Sequence, residues 1–148
     1  MGKEIERKFL VTDFDAVKTL ARDSVRISQG YLSVAPERTV RVRLRGNRAF
    51  LTIKGITCGA SRAEYEYEIP EADARELLGL CEGKIIDKTR YLVDFEGHTW
   101  EVDEFHSPRR LWVAEAELNS ESEELILPPW VGQEVTGNPE YYNSSIAK

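Results

Sequence analysis

The chain has 148 residues, enough to bury one core, so a single domain spanning 1–148 is expected. Charged residues make up 31% and hydrophobic residues 41%, with a net charge of −6 and a pI near 5.1. Basic and acidic clusters interleave along the chain, where a nucleic-acid binder would show a basic face on a neutral background, and this argues against nucleic acid as the partner.

Two cysteines, Cys58 and Cys81, are too few for a disulfide scaffold. The start Met1–Lys8 is charged, with no apolar signal region, and no apolar run approaches the roughly 20 residues that span a bilayer. No membrane role is expected, and the cytoplasm is the default compartment.

In chain order, period-2 alternation marks strands at 3–11, 25–34, 38–45 and 48–55, then at 62–69, 84–95, 98–105 and 111–119. Arg45-Gly46-Asn47-Arg48 and Phe95-Glu96-Gly97-His98 read as hairpin turns, with Gly and Asn supplying positive φ. Residues 55–61 read as a flexible loop. Helices are expected at 13–22 behind Thr12-Asp13, at 71–80 behind Pro70, and at 121–126, where Ser120 and Glu123 could form a capping box. Asn138-Pro139 would open a last helix over 139–147. The resulting fold class is mainly β (α+β), and eight antiparallel strands can close into a barrel that encloses one small ligand.

Charge concentrates on one face of nearly every strand. Glu4, Glu6 and Lys8 share a face, as do Arg41, Arg43 and Arg45, and Thr52 with Lys54. Arg62, Glu64, Glu66 and Glu68 follow the same rule, then Lys88 with Arg90, Glu101 with Asp103, and Glu115 with Glu117. A solvated sheet face would account for any one of these. It does not account for runs of three arginines or three glutamates, because like charges on neighbouring positions repel. Such runs make sense when an opposite charge lies between them: arginines fork onto phosphate oxygens, and clustered carboxylates suit hard cations. A cavity lined by both would take a metal–polyphosphate complex and would have to be wet.

Read in order, these residues resemble the CYTH, or triphosphate tunnel, family. Glu4-Ile5-Glu6-Arg7-Lys8 matches its opening E-x-E-x-K signature. Arg41-x-Arg43, Thr52-x-Lys54, Glu64-x-Glu66-x-Glu68-Ile69-Pro70, Lys88-x-Arg90, Asp103, Glu115-x-Glu117 and the terminal Val135–Asn143 stretch follow, so the likeness spans the chain. The resemblance implies an eight-stranded antiparallel tunnel with a charged interior and a few outer helices. It also implies Mg²⁺- or Mn²⁺-dependent hydrolysis of a small triphosphate, most like the compact tripolyphosphatases. Adenylyl cyclases and thiamine or nucleoside triphosphatases in the same family are alternatives, and a non-catalytic polyphosphate- or nucleotide-binding module is another.

Carried over by motif, Glu4, Glu6, Glu115 and Glu117 would ligate metal, with Glu4, Glu6 and Lys8 in the catalytic step. Lys8, Arg41, Arg43, Lys54, Lys88 and Arg90 would grip phosphate, supported by Glu64, Glu66 and Asp103. Arg45 and Arg62 lie near strand ends and rank lower, and Glu68 reads equally as a surface residue. The Tyr142-Asn143 region resembles a segment that caps one tunnel mouth. His98 and His106 read as exposed loop histidines, Trp112 and Trp130 as outer packing, and Trp100 as core. The sequence leaves the oligomeric state open.

Overall fold

The computed structural model describes residues 3–148 as one nine-stranded antiparallel sheet with few helices. The strands are β1 (Lys3–Val11), β2 (Asp23–Ser33), β3 (Thr39–Arg45), β4 (Arg48–Cys58), β5 (Ser61–Ile69), β6 (Glu82–Phe95), β7 (His98–Ser107), β8 (Leu111–Glu117) and β9 (Val131–Glu134). Helices α1 (Phe14–Leu20), α2 (Glu71–Leu78) and α3 (Asn143–Ile146) complete the chain, with a 3-10 turn over Pro139–Tyr141. The order β5-β4-β3-β2-β6-β7-β8-β1, with β5 pairing again to β1, closes eight strands into the expected barrel. No helix is long and apolar enough to cross a membrane among the described residues.

β9 is the strand the sequence did not announce. Along one edge β1 pairs with β5 through Lys3–Ile5 and then with β9 at Phe9 and Val11, while Glu6–Leu10 pair with β8 on the other edge. β1 thus changes neighbours midway. Past Ile5 the edge it turns away from β5 is taken up by the 131–136 stretch, with Val135 N donating to Lys8 O at 2.8 Å.

Other expectations need correcting. Residues 55–61 are not a free loop: β4 runs on to Cys58 and β5 starts at Ser61, with a register shift between Lys54 and Thr57. Gly46 takes positive φ in the first hairpin but Asn47 does not; in the second, Glu96 and Gly97 both do. The 121–126 stretch is not helical. Glu123 does reach back to Asn119 N at 2.6 Å, as a capping residue would, yet its other oxygen meets His98 Nε2 at 2.6 Å. Leu125 of this stretch and Trp130 just beyond it are buried in the core, and that packing outweighs a short, glutamate-rich helix. The last helix is split, because Tyr142 is extended between the 3-10 turn and α3.

The apolar core lies on the outside of the barrel wall. Ile5 and Phe9 of β1, Val93, Trp100, Val102, Ala114 and Ala116 face outward under Val17 of α1 and under Leu118, Leu125 and Trp130. Trp130 is therefore core rather than peripheral, edge-on to Trp100 at 5.6 Å, while half-buried Trp112 stacks between Phe14 and Tyr91. A second cluster seats α2 on Val42, Ala49, Leu51 and Ile69. The third involves the C-terminal segment: Ile146 and Ala147 pack among Tyr31, Ile86, Phe105 and Val113. The alternation that sends Val and Trp outward is what leaves charge for the bore.

Candidate active site

One cavity of about 210 Å³ runs into the barrel. Its lining takes Glu4, Glu6 and Lys8 from β1, Arg41 and Arg43 from β3, and Lys54 from β4. Arg62, Glu64 and Glu66 come from β5, Arg90 from β6, Glu101 from β7, and Glu115 and Glu117 from β8. Because each strand contributes alternate residues, seven of the eight barrel strands add charge to the same space, and β2 adds Tyr31.

Cations and carboxylates are paired across it. Lys54 Nζ lies 3.0 Å from Glu4 and 3.4 Å from Glu64, and Lys8 Nζ lies 3.3 Å from Glu115. Arg41 donates to Thr52 Oγ1 at 3.1 Å and to Glu66 at 3.3 Å, but its buried Nε has no partner among the described residues. Arg90 forks onto Asp103 at 2.8 and 2.9 Å and reaches Glu101 at 3.3 Å. Among the described residues the Arg43 side chain donates only to the neutral Gln29, at 2.8 Å. Burial, with Arg41 and Arg90 nearby, pushes its guanidinium down to about 9, still charged at neutral pH. A buried, repelled cation and an orphaned guanidinium N–H on one wall are what an anion would relieve.

The carboxylates diverge in the same way. Burial raises Glu6 well above the usual range, and Glu115 and Glu4 add to the rise. Burial also raises Glu117 and Glu64, each with Glu4 as a further cause. Glu115 goes the other way: burial alone would raise it, but Lys8 and Arg90 hold it at about 2. As the side chains stand, no three His, Cys, Asp or Glu groups among the described residues converge to hold a metal ion. Glu4 and Glu115 are instead turned to lysines. The donor set nevertheless suits a hard divalent cation, since it is all oxygen and its members repel one another.

Two assigned residues lie elsewhere. Lys88 is not on the cavity wall: it is 0% exposed, donating to Asp103 at 2.6 Å and to Asn143 Oδ1 at 2.8 Å. Asp103 sits behind Arg90 rather than in the bore, with its carboxyl held far below the usual range by Arg90 and Lys88 against the opposing effect of burial. Arg62, ranked low, does line the cavity, fixed by bonds to Gly55 O at 2.7 Å and Thr39 Oγ1 at 2.9 Å. Glu68 is outside, clamped by Arg48 at 2.7 and 3.0 Å, and half-buried Arg45 is not in the lining. Glu101, placed by alternation on the charged face with Asp103 but given no role by motif, does line the cavity. Neither histidine is a loop residue. Both lie on β7 and are half-buried, His98 against Glu123 and His106 bonded to Thr89 at 2.8 Å. Tyr142 closes one side of the cavity, with Lys8 and Arg62 over its ring at 5.7 and 5.9 Å.

Known proteins resemble this chain over nearly its whole length. The chain is 49% identical to the inorganic triphosphatase of Acetivibrio thermocellus, over 100% of this chain and 95% of that protein. It is 39% identical to the inorganic triphosphatase of Nitrosomonas europaea, over 97% and 96%. A crystal structure of an inorganic triphosphatase superposes with a TM-score of 0.64 at 35% identity, covering 97% of this chain and 93% of that one. A Pyrococcus horikoshii protein at 20% identity, covering 80% and 79%, shares the fold with a TM-score of 0.63. The CYTH domain profile matches residues 2–148, and the chain belongs to the CYTH domain family.

Proposed function

We propose that this chain hydrolyses inorganic tripolyphosphate to pyrophosphate and phosphate, using Mg²⁺ or Mn²⁺. The observation that carries the reading is one small cavity whose wall holds an unpartnered Arg41 N–H, a buried Arg43 repelled by its neighbours, and mutually repelling carboxylates. Its volume falls below the roughly 300–1,000 Å³ of pockets that take drug-sized ligands, which favours a bare polyphosphate over a nucleotide. The names of the two close relatives point the same way.

Arg41, Arg43 and Arg90, with Lys8, Lys54 and Arg62, would bind the phosphate oxygens, and release of Lys8 and Lys54 to the substrate frees Glu115 and Glu4. Those two, with Glu6 and Glu117, would hold the divalent cation. When bound, it supplies charge neutralisation at the phosphoryl oxygens. Water oxygen bonds to the terminal phosphorus as the bridging P–O bond breaks, and pyrophosphate leaves. Glu6, whose proton affinity is raised by burial with Glu115 and Glu4 adding to the rise, would take the water proton. Fixed arginines stabilise the spreading charge without reorganising. Lys88 and Asp103 serve from behind the wall.

The test is phosphate release from tripolyphosphate, ATP and thiamine triphosphate with Mg²⁺, Mn²⁺ or EDTA. Metal-dependent release from tripolyphosphate, with little from ATP, is expected. Cyclic AMP with pyrophosphate from ATP would replace the reading with a cyclase, and tight tripolyphosphate binding without turnover would replace it with a binding module. Glu4→Gln with Glu6→Gln should abolish turnover in a folded protein. Arg41→Ala or Arg43→Ala should lower kcat/KM by about 10- to 100-fold, the worth of a charge-assisted hydrogen bond.

A further inference from the structure

Two cavity arginines are tied into side-chain networks, and both lines of contact end on one atom of Asn143, which itself borders the cavity. Arg43 Nε donates to Gln29 Oε1 at 2.8 Å, and Gln29 Nε2 donates to Asn143 Oδ1 at 3.1 Å and to the Tyr31 hydroxyl at 3.1 Å. Arg90 forks onto Asp103, Asp103 accepts from Lys88 Nζ at 2.6 Å, and Lys88 donates again to Asn143 Oδ1 at 2.8 Å. Gln29 and Lys88 are both 0% exposed. Arg43 and Arg90 come from β3 and β6; Asn143 opens α3, just after the extended Tyr142.

We infer that Asn143 is a positioning residue for the phosphate grip, its carboxamide oxygen setting the heads of Arg43 and Arg90 through Gln29 and Lys88. The polarity of each amide is dictated from its ends. Guanidinium and ammonium groups can only donate, so Gln29 must turn its oxygen to Arg43 and its NH₂ away, and Asn143 must turn its oxygen to Lys88. Without that oxygen the Gln29 NH₂ loses an acceptor in a sealed site, where an unmade bond costs more than a made one gains, and the amide is free to rotate off Arg43. On the other branch Lys88 would depend on Asp103 alone. Burial already holds its amine down to about 7, with Arg90 and Arg43 adding to the depression against the pull of Asp103. Ile146 and Ala147 anchor the same segment by apolar contacts, so seating of the segment and orientation of the arginines are separable.

The inference rests on the phosphate-binding reading of the cavity. The experiment compares wild type, Asn143→Ala, Asn143→Asp and the exposed control Glu140→Ala, measuring the calorimetric Kd for tripolyphosphate together with kcat and KM. Asn143→Ala is expected to raise Kd and KM about tenfold, with kcat falling about threefold at most. Asn143→Asp keeps an acceptor oxygen but adds a negative charge at the cavity border, so its Kd and KM should fall between wild type and Asn143→Ala, while Glu140→Ala should stay within about twofold of wild type. Should Asn143→Ala melt below the assay temperature, Asn143→Ser replaces it under the same criterion. A folded Asn143→Ala with wild-type Kd and KM overturns the inference, as does an Asn143→Asp impaired as much as the alanine variant. A wild-type protein that neither binds nor cleaves tripolyphosphate sinks both this inference and the reading beneath it.

Discussion

Glu6 shares a buried wall with Glu4 and Glu115, where each added negative charge works against the others. Removing its charge without changing its shape should therefore help the empty protein while disabling it. Glu6→Gln is expected to raise the melting temperature by about 3 °C, the shift that about 1 kcal/mol gives in a chain of this size, and to abolish tripolyphosphate turnover. Calorimetric melting beside the phosphate assay checks both halves. Alternation was enough to point Glu4, Glu6, Arg41, Arg43, Glu115 and Glu117 into the bore, because a strand's faces are set by parity alone. Parity gives no depth, which is why Lys88 read as a partner of Arg90 on the wall when it lies sealed behind it. Gln29 carries no charge and sits in no run of like residues, so nothing local marked it, and Asn143 stood out only as part of a capping segment, not as a partner of the arginines.

At the scale of elements, β9 shows how a strand can be illegible. Val131-Gly132-Gln133-Glu134 is too short to alternate convincingly and has a glycine within it; it exists because β1 parts from β5 and leaves an edge to be filled. It is fastened there by Arg7, which forks onto Glu134 at 2.9 and 2.7 Å, and by Thr136, which donates to the same carboxylate at 2.7 Å. The pair is about one-third exposed, so solvent screening keeps its worth small. Glu134→Ala should cost no more than about 1 kcal/mol globally, yet speed amide exchange at Val135, whose bond to Lys8 depends on the docked strand. Unchanged exchange there would mean that β9 is held by its neighbours alone. The expected helix at 121–126 failed for a related reason: a local capping signal was present, but the fate of the segment was decided by where Leu125 and Trp130 had to be buried.

Across the whole molecule, apolar packing and charge are sorted to opposite sides of one sheet. Trp100, fully buried and in contact with Phe9 and Trp130, belongs to the packing side; Trp100→Ala should cost about 3–5 kcal/mol in denaturant unfolding. Lys88 belongs to the other side, and its effect depends on pH. Its amine sits at about 7 in the fold against an ordinary 10.5, so between those values the unfolded chain binds more protons and stability from this group rises with pH. The stability of wild type relative to Lys88→Met should therefore increase from pH 7 to 10, and a flat difference would contradict the burial of a charged amine. The barrel itself, with its strand count and hairpins, was readable because alternation and turn residues agree; closure depends on β1 pairing with both β5 and β8, strands far along the chain, which no local pattern records.

That sorting has a consequence for how such a chain can change over generations. What keeps the barrel folded is methyl and aromatic surface outside the wall, and what selects a ligand is the charge pattern inside it. A substitution in the bore exchanges one polar group for another without opening a hole in the packing. A lineage can thus retune the bore for a different polyanion in single steps, each intermediate staying folded, while the outer layer drifts under separate constraints.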